Sequence, residues 1–160
     1  MKAFHNDEAI KLKYLERVQL HAKMDEIIKG QYWQGGRGCA VGCTIHSSEH
    51  ANYETELGIP EWLARLEDCI FEGLPNERAK LWPEEFLSAI NIGADLSKVE
   101  APFIIFILKS TLDNFDHKEY PDVKSAIDTC INLYERGDLN KSAAYVKFAN
   151  KLLELLRGCE

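Results

Sequence analysis

Only one stretch of this 160-residue chain could be a β-strand, the continuous apolar run Pro102-Phe103-Ile104-Ile105-Phe106-Ile107-Leu108, and no second strand-like segment exists for it to pair with. An unpartnered strand would leave a row of backbone N–H and C=O groups unsatisfied. The run therefore reads as a buried helix, with Pro102 at a first helical position where its missing N–H is not needed. Elsewhere apolar residues recur at helical spacing between Gly and Pro punctuation. The expected fold class is all-α: one compact multi-helix domain over 1–160, with no substantial β-sheet.

Helix boundaries follow from caps. Ile10, Tyr14, Val18 and Ile28 mark a helix over 6–29, with Asn6 as N-cap, Asp7 and Glu8 in the first turn and Gly30 past the end. His21 continues this stripe and should face inward. Further helices are expected over 39–46, 49–57 (ended by Gly58), 60–72 (buried face Ile59, Leu63, Leu66, Ile70), 76–81 and 83–90. Another opens at Pro121 and Asp122, carries Val123, Ile127, Cys130 and Tyr134, and closes at Gly137. A last one over 141–157 shows Ala144, Phe148, Leu152 and Leu155 on one face, wide enough to suggest deep burial or a homodimer contact.

Charge and cysteine usage exclude several roles. The net charge of −7, from 26 acidic and 19 basic residues, shows no basic block, so nucleic acid is not an expected partner. The longest apolar run has eight residues against roughly 20 for a membrane span. The acidic N-terminus lacks a signal-peptide pattern, which points to a cytoplasmic protein. Five cysteines without scaffold spacing read as reduced thiols. Cys69 and Cys130 fall on apolar stripes and are expected to react slowly.

Residues 30–50 hold the chemistry-bearing side chains. Gly30-Gln31-Tyr32-Trp33-Gln34-Gly35-Gly36-Arg37-Gly38 is a glycine-rich loop, followed by Cys39, Cys43, His46 and His50 at offsets 0, 4, 7 and 11. On an unbroken helix these four share a face, but they span about 16 Å, too far for one ion with ligands at about 2.0 to 2.3 Å. Cys43, His46 and His50 form the candidate metal set, zinc being the matching ion, with His21, Glu54 and Cys69 as nominal extra ligands. His46-Ser47-Ser48-Glu49-His50 also matches H-x-x-E-H, an inverted zinc-protease pattern in which the glutamate is the base. The Cys39 and Cys43 pair could be redox-active, although three intervening residues exceed the C-x2-C spacing of alkylhydroperoxidase D-like proteins. Trp33, Arg37, Gly38 and Cys39 form a candidate anion or ligand site, with backbone N–H groups at a helix start beside a guanidinium.

The segments Tyr32-Trp33, Gly38-Cys39-Ala40-Val41-Gly42-Cys43-Thr44-Ile45-His46, Tyr53-Glu54-Thr55-Glu56-Leu57-Gly58-Ile59-Pro60 and Gly93-Ala94-Asp95-Leu96 resemble a family of uncharacterised bacterial proteins, over most of the chain. The resemblance implies a bacterial, cytosolic origin and no activity, ligand or site. The functional expectation is a small-ligand or partner-binding module with its site in residues 30–50. The alternative is a metal-dependent or thiol-dependent enzyme using Cys39, Cys43, His46, Glu49 and His50.

Overall fold

In the computed structural model, which describes residues 1–114 and 119–137, the chain forms two compact units, Met1–Ser97 and Lys98–Glu160. The described residues are predominantly helical, with eight α-helices and one two-stranded antiparallel ribbon. No helix among them is long and apolar enough to cross a membrane. The helix expected over 141–157, and the dimer contact proposed for it, lie outside the described residues.

The first unit is built around its shortest apolar helix. A 3-10 turn, Ala3–Asn6, with Ala3 and Phe4 buried, leads into α1 (Glu8–Lys23), whose N-cap is Asp7, its side chain accepting the Ala9 N–H at 2.8 Å. A ribbon follows, β1 (Trp33–Gln34) and β2 (Arg37–Gly38), then α2 (Ala40–Ile45), α3 (Asn52–Leu57), α4 (Glu61–Gly73), α5 (Asn76–Ala79) and α6 (Trp82–Ala89). All six residues of α2 are buried, and α1, α3, α4 and α6 pack around it. A helix apolar on every side belongs at the centre of a core, and the small residues of Ala40-Val41-Gly42-Cys43-Thr44-Ile45 let its neighbours approach closely.

Besides an N-cap at Asp7 in place of Asn6 and a start of α3 at Asn52 in place of 49, three features differ from the sequence expectation. First, α1 stops at Lys23, well short of 29, because Asp25 turns left-handed (φ 57°) and the chain then pairs with β2. Gly38 N–H donates to Glu26 O at 3.1 Å and Ile28 N–H to Gly38 O at 2.8 Å. Those long-range bonds replace the helical ones that propensity alone would make. Second, the glycine-rich loop closes into the ribbon with Gly35 and Gly36 at its tip. Third, α2 ends at Ile45 with His46 as a left-handed cap (φ 53°), its N–H bonded to Gly42 O at 2.8 Å.

The apolar face of α4 is rotated by one position from expectation. Its buried residues are Ala64, Glu67 and Phe71, while Leu63, Leu66 and Ile70 are only partly covered. Gly58 is the left-handed end of α3, as the punctuation suggested, while Pro60 stands as the N-cap of α4, one position before the first helical place expected of it.

The second unit contains α7 (Glu100–Asp113) and α8 (Pro121–Arg136), packed against one another and joined by an ion pair, Lys109 Nζ to Glu135 Oε1 at 2.9 Å. The run 102–108 is helical but not buried as expected: no residue of α7 is buried among the described residues, and Phe106 and Ile107 are exposed. Pro102 stands third in α7, still within the first turn where backbone N–H groups have no helical acceptor. Ile127 and Ile131 form the buried face of α8 and Gly137 its left-handed cap, while Cys130 is half-buried. Cys69, expected on an apolar stripe, is exposed, so the slow reaction expected of it does not follow.

Candidate functional site

Two groups of polar side chains flank the Tyr32-Trp33 pair. The first begins on α1, where Tyr14, Arg17, Val18 and His21 share one face at offsets 0, 3, 4 and 7. His21, buried, places Nδ1 2.7 Å from Glu26 Oε2 and Nε2 2.7 Å from His46 Nε2. The His46 ring stacks on Trp33 with centroids 4.4 Å apart and planes 10° from parallel, and His21 meets the same indole edge-on at 5.5 Å. Arg17 Nη1 donates to Thr44 O at 2.8 Å, which ties α1 to the last turn of α2.

Hydrogen-bond chemistry fixes how protons are shared here. A carboxylate only accepts, so His21 Nδ1 carries the proton facing Glu26. Between the two Nε2 atoms there is room for one proton, because two N–H groups aimed at each other at 2.7 Å repel. With His21 neutral, His46 Nε2–H is the donor and His46 Nδ1 keeps its lone pair. Burial and then the positive charge of Arg17 hold the His46 imidazole below its ordinary pKa. His46 is nonetheless exposed as a residue. The result is a neutral imidazole backed by an imidazole and a carboxylate, the arrangement of a proton relay.

The second group faces the other side of Tyr32. Asp68 and Glu72 lie one turn apart on α4 and, with Gly30, Gln31 and Tyr32, line a cavity of about 240 Å³. Glu72 Oε1 accepts the Gly30 N–H at 3.0 Å. Asp68 Oδ2 is 3.5 Å from His50 Nε2, and the His50 ring meets Tyr32 edge-on at 5.3 Å. Asp68 Oδ1 is buried without a hydrogen-bond partner of its own among the described residues, and the Cys39 thiol bonds the same carboxylate. Behind Asp68 lies the fully buried Glu67. It accepts the Tyr53 hydroxyl at 2.7 Å through Oε2, while its Oε1 is likewise without a partner among the described residues. Burial first, offset in part by the Tyr53 hydrogen bond and reinforced by Asp68, pushes the Glu67 carboxyl up to about 8.

The sequence-derived sets are not assembled as expected. Because α2 ends at His46, the offsets 39, 43, 46 and 50 no longer share a face. His46 turns to His21 and Trp33, His50 to Asp68 and Tyr32, and the Cys43 thiol to the carbonyls of Gly38 and Glu26 at 3.3 and 3.6 Å. Among the described residues no three His, Cys, Asp or Glu side chains are grouped to hold a metal ion, so Cys43, His46 and His50 do not form the expected set. Of the nominal extra ligands, only His21 meets one of the three, through His46. Glu54 accepts the Glu61 N–H at 3.1 Å, which occupies it at the start of α4. The H-x-x-E-H pattern fails on the same point, since His46 and His50 are not one helical turn apart on a continuous helix.

The expected anion site is spent on the backbone. Gly38 N–H goes to Glu26 O, Cys39 N–H to Gln31 O and Tyr32 O, and Gly42 N–H to the Cys39 thiol at 3.4 Å. Arg37 is exposed on the ribbon, and Trp33 is engaged by His46. Cys39 and Cys43 are buried. Burial and then Asp68 raise the Cys39 thiol well above its usual range, and burial pushes Cys43 up to about 12, so neither favours the thiolate that nucleophilic chemistry needs.

Glu26, Glu67, Asp68 and Glu72 were not singled out in the sequence. For Glu67 a signal existed: Ala64, Glu67 and Phe71 have core-facing spacing, and a carboxylate on such a stripe is the informative kind of exception. For Glu26 none did, because its approach to His21 depends on the turn at Asp25. No protein-family model, no curated protein and no solved structure matches the chain, so the functional reading rests on these two side-chain groups alone.

Proposed function

We propose that the protein is a small-ligand-binding module whose site is the cavity between residues 30–32 and α4. The observation that supports this most is the wall of that cavity. Asp68, with its side chain 13% exposed, and Glu72 set two carboxylates there beside the Tyr32 ring and the backbone of residues 30–32. A concave site with an aromatic ring and a few convergent polar groups is the usual setting for a small ligand. A volume of about 240 Å³ falls just below the range typical of drug-sized ligands and suits a small molecule.

Amide NMR of the labelled protein, titrated with a fragment set of mixed charge, tests the reading. Shifts should cluster on Gly30, Gln31, Tyr32, Asp68 and Glu72 for at least one fragment. A set that produces shifts only elsewhere, or none, overturns it.

A second reading, an acid–base enzyme with His46 as proton acceptor, draws support from the Glu26–His21–His46 relay and from the left-handed backbone at His46. A bulky residue at positive φ is the kind of strain that collects at functional positions. In this reading His46 titrates below an ordinary imidazole by nitrogen-detected NMR, and Arg17→Met moves it upward by removing a neighbouring cation. A His46 that titrates at or above the free value removes the support.

A further inference from the structure

We infer that His46 is a nucleophile whose Nδ1 accepts an acyl group from an activated carboxylic ester or thioester, with His21 as its base. The inference deepens the acid–base reading above and rests on the same relay. A side chain is set up as a nucleophile where a base lies within hydrogen-bond reach and a third group orients that base. His46, His21 and Glu26 meet that description. His46 Nε2 lies 2.7 Å from His21 Nε2, and His21 Nδ1 lies 2.7 Å from Glu26 Oε2. His46 is the most exposed of the three, and its Nδ1 has no hydrogen-bond partner among the described residues. Stacking on Trp33 fixes the plane of the ring, which keeps Nε2 aimed at His21.

The proton balance closes within the relay. The Nδ1 lone pair attacks the acyl carbon, a C–N bond forms, and the C–O or C–S bond to the leaving group breaks with its electron pair. His46 Nε2–H passes its proton to His21 Nε2, which leaves a neutral acyl-imidazole and a His21 imidazolium facing the Glu26 carboxylate. The leaving alkoxide or thiolate takes a proton from solvent, and His21 returns its own to solvent. The surroundings suit an acyl group better than a phosphoryl group. The carboxylates of Glu26 and Glu56 both act on the imidazole and would repel a phosphoryl dianion. Leu20 and Met24, three positions after Arg17 and His21, are more than half exposed and make the approach along α1 partly apolar. Arg17, with Nη1 on Thr44 O, keeps further N–H donors of the kind that stabilise a tetrahedral oxyanion.

His5 supplies an internal comparison. It is also exposed, and its Nε2–H donates to Thr55 O at 3.1 Å, so its Nδ1 carries the lone pair as in His46, but a carbonyl cannot take the proton. The full chain is treated with diethyl pyrocarbonate and, separately, with 4-nitrophenyl acetate at about pH 8, above the ordinary imidazole range, and acylation is followed residue by residue by peptide mass spectrometry. Both reagents should acylate His46 at least about tenfold faster than His5, a modest share of what a positioned base supplies. The His46 rate, and not the His5 rate, should fall in heavy water. His21→Gln should bring His46 down to the His5 rate and leave His5 unchanged. If His46 reacts no faster than His5, the nucleophile is overturned; the acid–base reading survives that result when His46 still titrates below free imidazole, and both fail when it does not. A fast His46 that stays fast in His21→Gln assigns the reactivity to exposure and overturns His21 as the base. Should that variant not fold, the native protein decides, since equal His46 rates in light and heavy water overturn the relay. Phosphoramidate favouring His46 over His5 by a larger factor than the acyl reagents do overturns the acyl class in favour of phosphoryl transfer.

Discussion

Gly42→Ala is expected to remove most of the stability of the first unit, well beyond what an ordinary core substitution costs. A Cβ at Gly42 would lie 1.7 Å from Tyr32 O and 2.7 Å from Tyr32 C. Neither atom can step aside easily, because Tyr32 O accepts the Cys39 N–H at 3.0 Å and the adjacent Trp33 is stacked on His46. Overpacking a rigid core usually costs about 1 to 3 kcal/mol. Here backbone meets backbone from two elements at once, so a loss of about 3 kcal/mol or more is expected by urea denaturation. Gly73→Ala is the control: its Cβ meets nothing within 4 Å and its φ is ordinary, so stability should stay level or rise slightly. Equal effects from the two substitutions would show that Tyr32 O does not seat against α2.

The same residues explain how much of the fold could be read in advance. The all-α class was legible because it needs only periodicity and punctuation: Gly58, Pro60, Pro121 and Gly137 stand at helix ends. Residues 30–50 were legible as unusual, but their chemistry was not. The glycines and cysteines that suggested an anion loop and a metal set mostly serve close packing. Gly38 and Gly42 admit the Tyr32 carbonyl, Cys39 caps α2, and Cys43 bonds two carbonyls. What the sequence concealed was long-range. His46 finds His21 from 25 positions away, and Asp68 and Glu72 reach the 30–32 turn across about 40. A helical wheel drawn through position 46 cannot anticipate this, because one left-handed residue ends the wheel. The buried Glu67 was concealed differently, by the more apolar Leu63, Leu66 and Ile70 beside its stripe.

Glu67 carries the second large effect, and its sign runs against common experience with acidic residues. Its carboxyl is raised from 4.5 to about 8 by burial. Below about pH 4.5 both folded and unfolded chains hold the proton, and Glu67 contributes no pH dependence. Between 4.5 and about 8 the unfolded chain releases a proton that the folded chain keeps, so stability falls by about 1.4 kcal/mol per pH unit at most. Above 8 the folded chain ionises too and the loss levels off, after an upper bound of roughly 5 kcal/mol. His46, held low, acts in the opposite sense as pH falls through the imidazole range, so the wild-type curve alone does not isolate Glu67. The difference between wild type and Glu67→Gln does. The amide keeps an oxygen for the Tyr53 hydroxyl and cannot ionise, so the variant should be close to wild type at pH 5 and more stable by several kcal/mol at pH 9. Urea melts followed by Trp82 fluorescence suit the measurement, since Trp82 Nε1 donates to Glu67 O at 3.0 Å. A difference that stays constant across that range would mean that Glu67 is already ionised in the folded protein at low pH. The Tyr53 pair would then be a charged hydrogen bond reached by solvent, with no neutral acid in the core.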